Sequence, residues 1–82
     1  MAPSEYSGVG QERHVSEIKN DGLVVCLDDG SVWDISVGDN TKTLCWYPTM
    51  RIIVEEGGGS MYPFSLKNLD TAGPDVVRAL LR

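Results

Sequence analysis

Short runs of Val, Ile, Leu, Trp, Tyr and Phe alternate with polar positions along this chain. Turn-forming residues cut the runs off at Asn20-Asp21-Gly22, Asp28-Asp29-Gly30, Gly38-Asp39-Asn40, Gly57-Gly58-Gly59 and Ala72-Gly73-Pro74. Apolar side chains at every second position, punctuated this often, predict an all-β fold: a meander, a sandwich or a small barrel. No internal repeat, heptad or charge block interrupts the pattern.

Turn chemistry and face choice together fix the central hairpin. Leu23 to Leu27 and Val32 to Ile35 flank Asp28-Asp29-Gly30. A two-residue Asp29-Gly30 loop would set Val25 opposite Asp34, a carboxylate against a core-type residue. A three-residue loop with Gly30 in the left-handed bulge position sets Val25 opposite Trp33 and Leu27 opposite Ser31. Leu23, Val25, Leu27, Trp33 and Ile35 then share one face, with Val24, Cys26, Val32 and Asp34 on the other. A one-residue slip would turn every side chain over, so the three-residue loop is preferred.

In the preceding turn, a two-residue Asp21-Gly22 loop brings Ile18 opposite Val25. Val15 lies three residues earlier, so a bulge near Ser16-Glu17 is needed to turn it inward as well. Further on, Ile52 and Val54 alternate with Arg51, Ile53 and Glu55, and Tyr62, Phe64 and Leu66 alternate with Pro63, Ser65 and Lys67. Pro63 has no N–H to give a ladder, so that strand is expected to begin at an edge.

Two stretches fit either period. Asp39 to Trp46 reads as a capped helical turn or as a strand with Leu44 and Trp46 inward. Val76 to Leu81 fits a short helix through Val77, Leu80 and Leu81, or a strand that closes a barrel. The strand is preferred, because closure removes an exposed edge. The expected core is Val15, Ile18, Val25, Leu27, Trp33, Ile35, Leu44, Trp46, Ile52, Val54, Phe64 and Leu66.

Length and charge narrow the field. The 82 residues leave room for a single domain, expected over residues 13–82, after a flexible lead-in at 1–12 that includes a mobile Tyr6. Twelve acidic against seven basic residues give a net charge of −5, and no two basic residues are adjacent. That disfavours nucleic acid, which needs a contiguous positive surface. No apolar run approaches the roughly 18 residues that would span a bilayer, so no membrane insertion is expected. No signal peptide is visible. The chain as it stands reads as cytoplasmic, or as periplasmic or secreted if Met1 has replaced a signal.

From Val15 to about Leu80 the chain resembles a group of small bacterial β-barrel proteins, often encoded with an export signal. The residues that carry the likeness are Asp29-Gly30-Ser31-Val32-Trp33-Asp34-Ile35, then Asp39, Lys42-Thr43, Trp46, Pro48, Ile52 and Val54, and finally Tyr62-Pro63-Phe64 with Leu66 and Asn68. They are hairpin and core positions, so the resemblance implies a fold and no catalytic residue. The expected architecture is a small SH3-like barrel of five or six short antiparallel strands in a meander.

Candidate chemistry is thin. Cys26 and Cys45 lack a further Cys or His at zinc spacing, so no metal is expected. A disulfide between them is the lesser alternative to two small semi-buried thiols, with Cys26 facing away from the core. A Cys–His nucleophile would need His14, the only histidine, beside one of those thiols and a third residue to orient it. Asp28 and Asp29 suit a turn better than acid–base work, and Gly57-Gly58-Gly59 lacks the Lys and Ser/Thr of a phosphate loop. Neither an enzyme nor a cofactor is expected.

The aromatic residues are more informative. Trp33 and Phe64 are core by default, whereas Tyr47, next to Pro48 and with Trp46 or Tyr62, could form a shelf for a peptide. The expectation is a non-catalytic interaction module that binds a protein partner or forms a homo-oligomer. Tyr47 and Tyr62, a sheet edge, or an outward patch of Val24, Cys26 and Val32 would make the contact. An oligonucleotide binder that stacks bases on aromatics and a stand-alone exported structural domain are the alternatives.

Overall fold

The computed structural model describes residues 6–57, 59–73 and 75–82. Expectations that fall on residues 1–5, on Gly58 or on Pro74 lie outside the described residues. Six strands, β1 (Glu12–Lys19), β2 (Val24–Leu27), β3 (Val32–Ile35), β4 (Arg51–Glu56), β5 (Phe64–Asn68) and β6 (Val76–Leu81), form a closed antiparallel barrel in the order β1-β2-β3-β6-β5-β4. The chain is therefore all-β, two three-stranded meanders joined through β3–β6 and β1–β4. One short helix, α1 (Asn40–Thr43), lies between the meanders in sequence.

The first meander follows from its turns. Val25 lies opposite Trp33 and Cys26 opposite Val32. Gly30 sits at φ +86 in the three-residue loop, where its N–H donates to the Leu27 carbonyl. Asp21 (φ +56) and Gly22 (φ +84) occupy the other turn, Ile18 faces Val25, and the β1–β2 register shifts between Val15 and Glu17. That shift is the bulge needed to point Val15 inward.

In the second meander β4 pairs with β5 from Ile52↔Asn68 to Glu56↔Phe64, and β5 pairs with β6 from Phe64↔Ala79 to Lys67↔Val76. Residues 76–81 are thus strand, and the ladder from Trp33↔Leu81 to Ile35↔Ala79 closes the barrel. Closure also means that Pro63 does not open onto a sheet edge: it directly precedes β5, and its carbonyl accepts the Gly57 N–H across the hairpin.

The core is built from Val15, Val25, Leu27, Trp33, Ile35, Trp46, Met50, Ile52, Val54, Phe64, Leu66, Val77 and Ala79, with Ile18 partly buried against it. Leu44 departs from expectation. Residues 40–43 are helical, and Thr43 and Trp46, three apart, fill the inward positions, leaving Leu44 56% exposed. Val24 departs in the other direction. It was expected on an outward patch, yet it is 4% exposed. Its cross-strand neighbours on that face are Lys19 and Asp34.

Residues 6–11, part of the expected flexible lead-in, lie against the barrel. Tyr6 and Val9 pack on the core, and the Gly10 N–H donates to the Val54 carbonyl at 2.9 Å.

Candidate functional site

The barrel has two differently built ends. At one, the β2–β3 turn and the β4–β5 loop meet the Tyr6 segment; at the other, α1 covers the β1–β2 turn. Of the partner-binding candidates, Cys26 and Val32 are half-buried opposite one another on the outer face. Without Val24 the outward patch shrinks to these two. Tyr47 is 59% exposed and lies just before β4, on the α1 side, whereas Tyr62 is half-buried in the loop after β4. A six-residue strand is roughly 20 Å long, so the two tyrosines sit at opposite ends of β4 and form no shelf together. Trp46 supplies no shelf either, since it is buried with its indole N–H donating to Asp75 Oδ2 at 3.2 Å.

The α1 end is held by polar contacts. Thr43, fully buried, donates from Oγ1 to the Gly22 carbonyl, and Asn40 Nδ2 donates to the Asp21 carbonyl at 3.1 Å. Lys42 Nζ reaches the Val76 carbonyl at 3.1 Å, and Asp39 Oδ2 accepts the Arg78 N–H at 2.9 Å. These bonds fasten the helix to the β1–β2 turn and to the start of β6. They leave apolar side chains outside: Val37 (81% exposed), Leu44, Tyr47 and Val76 all belong to the segments around α1.

The Tyr6 end is aromatic and was not expected from the sequence. The Tyr6 ring meets Trp33 edge-on at 5.0 Å between centroids and Phe64 at 6.4 Å, with Trp33 and Phe64 themselves 5.3 Å apart. The Tyr6 hydroxyl donates to Asp29 Oδ2, whose other oxygen accepts from Ser31 N (3.0 Å) and Ser31 Oγ (2.6 Å). Ser31 Oγ in turn accepts the Trp33 indole N–H at 2.9 Å.

The charges at this end respond to that network. Burial and the bond to Asp29 push the Tyr6 phenol above its ordinary value. Burial acts to raise the Asp29 carboxyl, but hydrogen bonds from Ser31 and Tyr6 and the Arg13 charge outweigh it, and the group titrates below the usual range. Beside it, the His14 backbone N–H and the His14 ring (Nδ1 to Asp28 Oδ2, 3.1 Å) hold Asp28 low.

Among the described residues His14 makes no hydrogen bond to a thiol. His14 contacts Asp28, and both cysteines are free: Cys26 half-buried in β2, Cys45 exposed after α1. Among the described residues no group of three His, Cys, Asp or Glu side chains is placed to hold a metal ion. Among the described residues no helix is long and apolar enough to cross a membrane. Arg13, Lys19, Arg51, Arg78 and Arg82, five of the seven basic residues, are ion-paired to carboxylates of the same chain. This works against a phosphate-binding surface.

Neither a family model nor a curated protein nor a solved structure matches the chain.

Proposed function

We propose that the protein is a non-catalytic interaction module that binds a protein partner, or a second copy of itself, through the α1 end of the barrel. The observation that carries this reading is the exposure of Val37, Leu44, Tyr47 and Val76 around one short helix whose polar groups are engaged within the chain. Apolar side chains held out by a fixed polar frame are what an interface core requires, and tyrosine is among the residues that dominate such cores. The engagement of His14 by Asp28 rather than by a thiol supports the non-catalytic part of the reading.

The test is the double variant Leu44→Lys/Tyr47→Lys. Both residues are exposed, so its unfolding transition should match wild type, while self-association by sedimentation, or retention of a co-purifying partner identified by mass spectrometry, should be lost. Association that survives the double charge would sink the reading.

A further inference from the structure

We infer that the Tyr6 end of the barrel is a recognition pocket for a tyrosine carried two residues before a glycine, closed in this chain by its own Tyr6-Ser7-Gly8 arm. The inference is independent of the α1-end reading, since it concerns the opposite end of the barrel.

The pocket has the parts needed to select a phenol. Trp33 and Phe64 present an edge-to-face seat for one more ring, and Tyr6 takes it at 5.0 and 6.4 Å. Asp29 accepts the hydroxyl and is itself fixed by two bonds from Ser31. Glycine two residues on is part of the fit, because a Cβ at Gly8 would lie 2.7–2.8 Å from the Tyr6 ring atoms. A phosphorylated tyrosine is excluded, since its charge would face the Asp29 carboxylate.

The arm is also built to leave. Beyond Tyr6 and Val9 it is tied by the Gly10 N–H to Val54 and closed on itself by the Gln11 N–H to the Gly8 carbonyl at 3.1 Å. Gly10, at φ +81 with open space around it, supplies a pivot. Arg13 Nε is buried without a hydrogen-bond partner among the described residues, 3.6 Å from the Asp29 oxygen that Tyr6 occupies. Departure of the Tyr6 hydroxyl frees that oxygen for Arg13, so the open state gains a charge-assisted bond that the closed state lacks. An arm of this kind competes in cis with any tyrosine offered in trans.

The experiment uses the 82-residue chain and the peptide Ser-Glu-Tyr-Ser-Gly-Val-Gly, titrated by calorimetry. Tyr6→Ala empties the pocket and should bind the peptide saturably, while wild type binds it about tenfold or more weakly because few molecules are open. A Phe peptide should bind about tenfold less tightly than the Tyr peptide through loss of the bond to Asp29, and a phosphotyrosine peptide not at all. Gly8→Ala, which keeps every pocket residue and only crowds the Tyr6 ring, should gain binding as Tyr6→Ala does. Leu44→Lys/Tyr47→Lys placed in the Tyr6→Ala background should leave it unchanged. Folded Tyr6→Ala and Gly8→Ala proteins that ignore millimolar peptide would overturn the inference, as would equal binding by wild type. Unfolding of both variants would overturn it too, by making the arm part of the core rather than a cover.

Discussion

The two ends of this barrel are closed by different physics. At the Tyr6 end three aromatic rings stack edge to face under a hydrogen-bonded carboxylate, and the neighbouring Leu27 is fully buried. At the α1 end a four-residue helix is fastened through Thr43, Asn40, Lys42 and Asp39, while its flanking apolar residues stay outside. Packing closes the first end and polar bonds close the second. A small domain gains most of its stability from buried apolar surface. The α1 end can therefore expose hydrophobics to a partner at little cost to folding, whereas substitutions in the strands beneath the Tyr6 arm, at Leu27, Trp33 or Phe64, act on the core.

Two leucines break this comparison most directly. Leu27→Ala removes a side chain at 2% exposure and should cost about 2–5 kcal/mol, much of the stability of a domain this size. Leu44→Ala makes the same chemical change at 56% exposure and should stay within about 0.5 kcal/mol. Urea unfolding of the pair decides it: similar midpoints would show that Leu27 is not in the core and that the Val25–Trp33 register is wrong.

Two turn glycines sharpen the comparison further. Gly22 and Gly30 have nearly the same φ, +84 and +86. A Cβ at Gly22 would meet Thr43 Oγ1 at 2.5 Å and the Asn40 carbonyl at 2.7 Å, whereas nothing lies within 4 Å of one at Gly30. Gly30→Ala should thus show left-handed strain alone, about 1–2 kcal/mol. Gly22→Ala adds a clash with backbone and with the buried hydroxyl that fastens α1, and its loss should be the larger of the two. Equal losses in thermal melts would mean that α1 moves aside freely and that its polar bonds contribute little.

The same contrast explains what the chain's pattern could and could not reveal. The Asp28–Gly30 hairpin was legible because turn type and face agreed on one register, and the Ser16–Glu17 bulge because Val15 and Ile18 could not otherwise share a face. Val76–Leu81 was legible only through closure, since six residues with apolar ends satisfy a period of two or of 3.6. Leu44 was misplaced because the inward positions around α1 are Thr43 and Trp46, and Thr43 is buried by a bond to Gly22, a partner 21 positions away that no local period encodes. Tyr6 was missed for a related reason. A lone aromatic among Ser and Gly has no periodic neighbour, and its seat is made by Asp29, Trp33 and Phe64 from distant strands.

The smallest effect should appear in the pH dependence, and it also separates the ends. Asp28 and Asp29 have folded values below the ordinary carboxylate value of 3.8. The stability they contribute is present above about pH 4 and is lost as pH falls through their folded values. The Tyr6 phenol is raised above 10.0. Its contribution is complete below pH 10, because the fold favours the protonated form, and it disappears as pH rises through the folded value. Tyr6→Phe should therefore flatten part of the alkaline limb of a melting-temperature profile relative to wild type. Asp29→Asn should weaken the acid limb while leaving the share due to Asp70, held low by its bonds to Arg51, in place. A Tyr6→Phe profile that parallels wild type above pH 10 would show that the phenol titrates as if in water. The arm would then not be seated against Asp29.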